Sequence, residues 1–252
     1  MKDRVALVTG ASSGIGRATA VALAKRGARV MAVARREAEL ARLAEEVDIA
    51  YLVCDLVTED GCAQAIDETR RRLGPVEILV NNAGLGSADE GSITETPDEV
   101  WSATMAVNLD APFRLCREAA KDMTSRGWGR IVMVSSTAGE VGAPGMPAYC
   151  ASKSGLLGLM RAISQDLAPH QVTCNAVLPG WIRTEMSERS ALVEAAQRGI
   201  GAEQVWSERS ASYEAGRVAT AEEVAETISF LCSPESSGVS GQAITVALGG
   251  LW

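Results

Sequence analysis

A tyrosine and a lysine four residues apart form the first chemically suggestive pair in the sequence. Tyr149 and Lys153 lie in Tyr-Cys-Ala-Ser-Lys, and on a helix this spacing places both side chains on one face. A neighbouring ammonium favours the phenolate, so Lys153 is expected to lower the pKa of Tyr149 toward the range in which a phenol acts as an acid or base. Chance also produces such pairs, so the surrounding motifs must decide.

Polar residues that follow two predicted strands are further candidates. Ser136 ends one strand, and the carboxyl ends of parallel strands form a ligand crevice, where its hydroxyl is placed to hold a substrate carbonyl. A serine at a strand end also commonly satisfies the local backbone. Asn81 and Asn82 follow another strand. They either border a cofactor or brace adjacent loops, and bracing is favoured.

A glycine-rich loop, Thr-Gly-Ala-Ser-Ser-Gly-Ile-Gly over residues 9–16, separates the first predicted strand from a helical pattern. Such a loop lets the backbone approach a pyrophosphate, whose charge is held by amides at the helix N-terminus. A merely tight turn is the alternative, but the strand before and the helix after favour nucleotide binding. The residues assigned to the cofactor in this loop are Gly10, Ser12, Ser13, Gly14, Ile15 and Gly16.

Two arginines at the end of the second strand bear on the choice of cofactor. An acidic residue there would bind the adenosine ribose of NAD, but the position is Ala34, and Arg35 and Arg36 follow. Guanidinium groups suit a ribose 2′-phosphate, so NADP(H) is favoured and NAD(H) remains possible. The alternative is that both arginines form the solvated start of a helix. Asp55, followed by Leu56, either accepts from an adenine amino group or caps a turn.

The elements that must position these residues alternate between strand and helix patterns. Helix-length stretches with apolar residues at 3.6-residue spacing separate short β-branched runs, which predicts a parallel sheet with crossover helices. Thr96 and Thr220 each stand three residues before a Glu, so both are expected to cap helices. The seven predicted strands are Val5 to Val8, Arg29 to Val33, Ala50 to Val53, Ile78 to Val80, Arg130 to Val134, Val172 to Val177 and Ala243 to Val246.

Composition excludes several classes of protein. Among 252 residues, 47% are hydrophobic and 22% charged, as in a globular protein. The net charge of −8 argues against a nucleic-acid or anionic-membrane surface. The only histidine is His170, and the six cysteines form no Cys-x-x-Cys pair, so neither a histidine triad nor a zinc site is indicated. No signal or membrane-length apolar run is visible, which predicts a cytoplasmic protein.

No linker or repeat divides the chain, so one domain over residues 1–252 is predicted. Residues 183–216 interrupt the regular alternation and are too long for a simple connection. Long insertions of this kind often form lids or binding loops, so this segment is expected to be a substrate lid. Trp181 is expected to shape the pocket or pack in the core, and Trp206 and Tyr213 are expected to line the lid.

Four motifs in this order make the chain resemble a classical short-chain dehydrogenase/reductase over nearly its whole length. They are Thr-Gly-x-x-x-Gly-x-Gly at residues 9–16, Asn-Asn-Ala-Gly at residues 81–84, Ser136 thirteen residues before the tyrosine, and Tyr-x-x-x-Lys. The resemblance implies a Rossmann-like, doubly wound α/β domain with helices on both faces of the sheet. It adds Asn108 to the catalytic set, and it assigns to the cofactor Asn82, Ala83, Gly84, Pro179, Gly180, Ile182 and Thr184.

The same resemblance implies a mechanism. Tyr149 gives its proton to the substrate carbonyl during reduction, and Ser136 steadies the oxygen. Lys153 lowers the tyrosine pKa and holds the nicotinamide ribose, and Asn108 anchors a water that relays protons. No metal is required, and a homotetramer or homodimer is implied, with helices near residues 112–126 and 149–167 as the interface. The ending Ala-Leu-Gly-Gly at residues 247–250 departs from the family's common Asp-Gly-Gly turn.

The favoured function is therefore an NADP(H)-linked carbonyl reductase or secondary-alcohol dehydrogenase that acts on a small-molecule substrate. A 3-oxoacyl thioester reductase is the second possibility, and its acidic carrier protein would require a basic face, for which the candidates are Arg117, Lys121, Arg126 and Arg130. An NAD-dependent secondary-alcohol dehydrogenase is a third. A nucleotide sensor without turnover is disfavoured, because the chain retains the whole catalytic set.

Overall fold

All seven strands lie in one parallel sheet with the order β3-β2-β1-β4-β5-β6-β7 in the computed structural model, which describes residues 1–250. The seven-stranded parallel sheet predicted from the alternation of strands and helices is confirmed, and the predicted strands differ from the observed ones by at most two residues at an end. The strands are β1 Val5–Thr9, β2 Arg29–Ala34, β3 Ala50–Val53, β4 Ile78–Asn81, β5 Gly129–Val134, β6 Val172–Pro179 and β7 Ala243–Val246.

Helices cover both faces of this sheet, as expected for a doubly wound fold. Two apolar cores result, because buried β-branched strands present side chains to both sides. One core lies under α3, α5 and α6 and the other under α1, α2 and α9. The helices are α1 Gly14–Lys25, α2 Glu37–Glu46, α3 Gly61–Arg72, α4 Asp98–Met105, α5 Ala111–Arg126, α6 Pro147–Leu167, α7 Glu185–Arg198, α8 Ala202–Ala211 and α9 Ala221–Leu231.

The strand order reverses between β1 and β4, and this reversal determines where a ligand can bind. The chain winds outward from β1 through β2 to β3, then crosses back so that β4 pairs with the other edge of β1. Loops leave β1 and β4 in opposite directions at such a point and open a crevice at the carboxyl ends of the strands. The glycine-rich loop and the Asn-Asn-Ala-Gly segment flank this crevice.

The segment predicted as a lid folds mainly into α7 and α8, which pack on each other around a small apolar cluster. Trp206 and Tyr213, which were expected to line the lid, are both buried. Trp206 packs in the apolar cluster of α7 and α8, and Tyr213 lies against Gly180. The Nε1 atom of Trp206 donates to Glu188 of α7 at 2.8 Å, which links the two helices. That the segment acts as a lid stays a prediction.

Within residues 1–250, no helix combines the length and the apolar character needed to cross a bilayer.

Candidate active site

A cleft of about 790 Å³ runs along the carboxyl edge of the sheet and brings most of the predicted site residues together. Gly16 and Asn108 do not line it. Gly16 instead packs within the first turn of α1, where an added Cβ would lie 2.3 Å from the Gly10 carbonyl oxygen. The predicted residues that line the cleft are Gly10, Ser12, Ser13, Gly14, Ile15, Arg35, Arg36, Asp55, Leu56, Asn82, Ala83, Gly84, Ser136, Tyr149, Lys153, Pro179, Gly180, Ile182 and Thr184.

Asn82 and Thr9 hold the glycine-rich loop against the segment that follows β4. The Oγ1 atom of Thr9 accepts from the backbone N–H groups of Asn82 and Ala83, both at 3.0 Å. The side-chain amide of Asn82 donates to the Thr9 carbonyl at 2.9 Å, which is the bracing role favoured from the sequence. Gly10 has φ +65°, and a Cβ there would lie 2.8 Å from the Ala83 Cα, so only glycine fits.

At one end of the cleft, Arg36 lies across the glycine-rich loop. Its guanidinium donates to the hydroxyls of Ser13 at 2.7 Å and Ser12 at 3.1 Å. It also forms a two-point ion pair with Glu185, at 2.6 and 2.9 Å, on the first turn of α7. The phosphate-binding candidate is therefore already held toward the cleft, and a carboxylate from the predicted lid occupies its outer face.

Arg35 and Asp55 lie together beside that end of the cleft. The Arg35 side chain is 67% exposed, and its guanidinium is 3.9 Å from the Asp55 carboxylate. Asp55 also accepts from the backbone N–H of Val57 at 3.2 Å, so the turn-capping role considered for it is present. Arg35 is therefore free to reach a phosphate, whereas Asp55 is only partly free to reach an adenine.

Tyr149, Lys153 and Ser136 meet at the opposite end of the cleft. Tyr149 and Lys153 share one face of α6, with the Lys153 Nζ atom 5.6 Å from the centre of the tyrosine ring. The ammonium donates to the Val134 carbonyl at 2.9 Å and is buried. Ser136 caps a 3₁₀ turn, and its hydroxyl accepts from the Ala138 N–H at 3.2 Å. The spacing on α6 therefore places both side chains as expected from the sequence.

Burial dominates the ionisation of this group. Burial raises the pKa of Tyr149, and the Ser136 hydroxyl only partly offsets this effect. The lowering of the tyrosine pKa by Lys153, expected from their spacing, is not seen, because the ammonium bonds the Val134 carbonyl rather than the phenol oxygen. Burial lowers the pKa of Lys153 itself to about 8. At neutral pH the tyrosine is thus a phenol, which can donate a proton.

Asn108 lies in a π-helical turn, Ala106–Asp110, between α4 and α5. Its side-chain oxygen accepts from the Leu85 N–H at 2.8 Å, and its amide donates to the Leu85 carbonyl and the Ser152 hydroxyl, both at 3.1 Å. The side chain therefore ties the loop after β4 to α6. π-Turns recur at functional sites, but the sequence carries no signal for this one. A role for Asn108 in proton relay stays a prediction.

The segment from Pro179 to Thr184 closes the remaining side of the cleft. A Cβ on Gly180 would lie 2.3 Å from the Tyr213 hydroxyl, which accepts from the Trp181 N–H at 2.8 Å. Thr184 caps α7 through a reciprocal capping box with Ser187. The unusual C-terminal turn packs here too, since Ala247 is close to Gly180. Trp181 lines the cleft and also packs against the apolar cluster of α7 and α8, so it occupies both of the positions considered for it.

Three charged contacts around the cleft were missed by the sequence analysis. Glu185 pairs with Arg36, Asp89 pairs with Arg189 at 2.6 Å, and Glu90 accepts from two backbone N–H groups at the start of α6. Each joins residues more than 50 positions apart. No local pattern could have revealed these pairs, because spacing along the chain reports only on near neighbours.

The shape and donors of the cleft fit a dinucleotide. A closely approached glycine loop opens a helix, two serine hydroxyls and an arginine surround it, and the cleft continues to a tyrosine and a lysine. Exposed helix N-terminal amides next to a glycine loop suit a pyrophosphate. The residues that would hold the phosphates and the adenosine ribose are therefore Ser12, Ser13, Gly14, Ile15, Arg35 and Arg36.

The basic face considered for docking an acidic carrier protein does not form as expected. Arg130 is buried, and its guanidinium donates to the backbone carbonyls of Ser233 and Gly129. Lys121 and Arg117 both lie beside Glu118, which neutralises part of their charge. The proposed patch is therefore wrong as a group, because one member packs in the interior and two others share a carboxylate.

Comparison with known proteins gives a consistent result. The family model described as short chain dehydrogenase matches residues 4–195. The 3-oxoacyl-(acyl-carrier-protein) reductase FabG of Pseudomonas aeruginosa is 33% identical over 251 residues, which is 98% of this chain and 96% of the relative.

Two solved structures are similar over their whole length. A variant of actinorhodin polyketide ketoreductase with NADPH has a TM-score of 0.94 at 36% identity, covering 98% of this chain and 97% of the other. NAD⁺-bound xylitol dehydrogenase has a TM-score of 0.91 at 28% identity, covering 99% of each chain.

Proposed function

Because the chain belongs to the short-chain dehydrogenase family and is an oxidoreductase of that family, we propose that it transfers hydride between NADP(H) and a ketone or secondary alcohol. Tyr149 is the general acid and base of this proposal. The observation that carries it is the convergence of Tyr149, Lys153 and Ser136 at one end of a cleft that has Arg35 and Arg36 at the other. NAD(H) is the alternative cofactor.

The chain's own residues account for proton transfer and positioning. When bound, the nicotinamide supplies or accepts the hydride. Tyr149 donates its proton to the carbonyl oxygen during reduction, and its raised pKa keeps that proton in place at neutral pH. Ser136 hydrogen-bonds the same oxygen, and Lys153 holds the nicotinamide ribose. In oxidation Tyr149 takes the proton back, so a raised pKa favours alcohol oxidation at alkaline pH.

The arginines support the preference for NADP(H). Neither Arg35 nor Arg36 is buried, and Arg36 is already oriented by Ser12 and Ser13. The position that would carry an acidic residue for NAD is Ala34. A carboxylate there would repel a 2′-phosphate, and its absence removes that obstacle.

Reduction of a 3-oxoacyl thioester is the second candidate. It is supported by similarity to a 3-oxoacyl-(acyl-carrier-protein) reductase and to a polyketide ketoreductase. The substrate end of the cleft is lined largely by apolar side chains, which suits an acyl chain. These are Val100, Ala103, Val107, Met146, Trp181 and Met186. The charges on α5 do not support docking of an acidic carrier protein there.

The test is turnover of NADPH with a panel of ketones and acetoacetyl thioesters, in wild type and Tyr149→Phe. The substitution should lower kcat/KM about 10²–10⁴-fold, because it removes the donated proton and little else. Tyr51→Phe, on β3 and away from the cleft, is the matched control and should keep full activity. Equal rates for wild type and Tyr149→Phe would rule out tyrosine catalysis. Turnover of thioesters but not of ketones would favour the second candidate.

A further inference from the structure

A carboxylate from a distant loop lies at the start of the helix that carries Tyr149. Glu90 belongs to residues 82–97, between β4 and α4. One of its oxygens accepts from the Ala148 N–H at 2.7 Å, and the other accepts from the Tyr149 N–H at 3.0 Å. Both bonds link residues nearly 60 positions apart and are partly buried.

The first turn of α6 needs such an acceptor. The first N–H groups of a helix have no partner within the helix. Met146 is the N-cap residue and provides no side-chain hydrogen bond, and Pro147 has no N–H to satisfy. Ala148 and Tyr149 therefore carry the next two free donors, and Glu90 takes both. A negative charge at this end also interacts favourably with the helix dipole.

The loop that carries Glu90 is itself held at two other points. Leu85 exchanges hydrogen bonds with Asn108, and Asp89 pairs with Arg189 of α7. The loop therefore forms one wall of the cleft, and Glu90 is its only hydrogen-bonded link to the first turn of α6 among the described residues. That link joins the wall directly to the backbone of Tyr149.

We propose that Glu90 is a positioning residue for Tyr149, which holds the first turn of α6 and joins the general acid to the loop that forms the substrate wall. This role rests on the proposed function, since it concerns the same tyrosine. Glu90 touches neither the phenol oxygen nor the cofactor region, so it acts through the backbone and through its charge.

The charge of Glu90 has its own consequence for acidity. Burial is the main cause that raises the pKa of Tyr149; Ser136 lowers this pKa, and Cys150 and the Glu90 carboxylate raise it further. The other charges nearby are Lys153, on the same helix, and the ion pair of Asp89 with Arg189. Neutralising Glu90 removes a negative charge near the phenol, so the pKa of Tyr149 should fall. Burial raises the pKa of Glu90, and the two backbone bonds oppose this effect.

The test compares wild type with Glu90→Gln and Glu90→Ala, and uses Glu95→Gln as the control. Glu95 is on the same loop, is exposed and hydrogen-bonds only Ser92, so it makes the same charge change without touching α6. Amide hydrogen exchange at Ala148 and Tyr149 should be at least about tenfold faster in Glu90→Ala. An exchange rate equal to wild type would overturn the positioning role.

Titration of ¹³Cζ-labelled tyrosine by NMR, with Tyr149→Phe to assign the signal, measures the phenol pKa without any turnover. Glu90→Gln should lower the pKa of Tyr149, and Glu95→Gln should leave it unchanged. In steady-state assays kcat should fall in Glu90→Ala with little change in KM. Unchanged pKa and kcat alongside faster exchange would reduce Glu90 to a structural cap and overturn the proposal. Absence of turnover in wild type would instead count against the proposed function alone.

Discussion

The side chain of Arg36, near the cleft, has two sets of partners that lie on opposite sides of its guanidinium. Arg36 binds Ser12 and Ser13 on one side and Glu185 on the other. If Arg36 takes a 2′-phosphate, Glu185 must yield, because both are anions on one guanidinium. The pair also bridges the glycine-rich loop and α7, so cofactor choice and the position of the predicted lid are linked at one residue.

Replacing Glu185 with glutamine should therefore strengthen NADPH binding. Exposed ion pairs are worth up to about 1 kcal/mol, so the dissociation constant for NADPH should fall about two- to fivefold. NADH should gain less, since it lacks the 2′-phosphate. Fluorescence titration with both cofactors measures the difference. Equal gains for NADPH and NADH would show that Glu185 does not compete for the phosphate.

Because of Lys153, the free energy of unfolding should vary with pH in the alkaline range. Its pKa is about 8 in the folded protein and 10.5 when unfolded, so between these values the unfolded chain binds more protons. The free energy of unfolding therefore rises as the pH increases from about 8 to 10.5. Below pH 8 the buried ammonium is charged and destabilises the folded protein. At about 1.4 kcal/mol per unit, the cost at neutral pH is about 3 kcal/mol.

Lys153→Met should consequently be more stable than wild type at pH 7, and the difference should shrink toward pH 10. Urea unfolding of both proteins at the two pH values provides the measurement. A difference that stays constant with pH would show that Lys153 ionises alike in the folded and unfolded states.

At the scale of single elements, two threonine caps predicted from the same pattern have different outcomes. Thr220 forms the expected capping box with Glu223 at the start of α9. Thr96 does not cap α4, because its hydroxyl donates to the carbonyls of Gly91 and Ser92 within the preceding loop. Pro97 is the N-cap residue instead. The Thr96 hydroxyl is used by hydrogen bonds within the loop and does not bind the first N–H groups of α4. The sequence pattern gives no information on this competition.

Thr220→Ala should cost about 1 kcal/mol of unfolding free energy, because it leaves the Glu223 N–H without its side-chain partner. The effect should appear in denaturant unfolding, since α9 packs on α1 and on the sheet. Thr220→Ser keeps the hydroxyl and should stay close to wild type. Similar losses in both variants would assign the effect to the methyl group rather than to the cap.

At the scale of the whole molecule, the fold positions the site and leaves apolar residues at its surface. The reversal of strand order between β1 and β4 brings the glycine-rich loop beside the Asn-Asn-Ala-Gly segment, and α6 adds the tyrosine. The chain has only two phenylalanines, and both are exposed: Phe113 on α5 and Phe230 on α9. We propose a homotetramer or homodimer with α5 and α6 in the interface.

Phe113→Asp should then lower the molar mass in solution toward the 26.4 kDa of one chain. Introducing a charge into an apolar contact opposes association. Phe230→Asp makes the same change on α9 and shows whether that helix also contributes to association. Light scattering after size-exclusion chromatography gives both masses. A monomeric wild type would rule out the proposed assembly.

Local patterns in the sequence were sufficient to predict the helices, the strands and the short motifs. Tyr149 and Lys153 share a helix face because four residues make about one turn. The glycine-rich loop can be identified from the sequence because strand, glycines and helix follow one another directly. The alternation of strand and helix patterns likewise sufficed for the parallel sheet. These features depend on near neighbours, whose geometry follows from backbone dihedrals and spacing.

Contacts between residues that are far apart in the sequence depend on how the chain packs in three dimensions. This packing paired Glu90 with the start of α6, joined Arg36 to Glu185, and buried Arg130 away from the surface. It also buried Tyr149, which raises the pKa of the phenol, and it directed the Lys153 ammonium to a backbone carbonyl rather than to the phenol oxygen. Such outcomes depend on packing and on competition among many possible partners, and spacing along one chain carries no information on either.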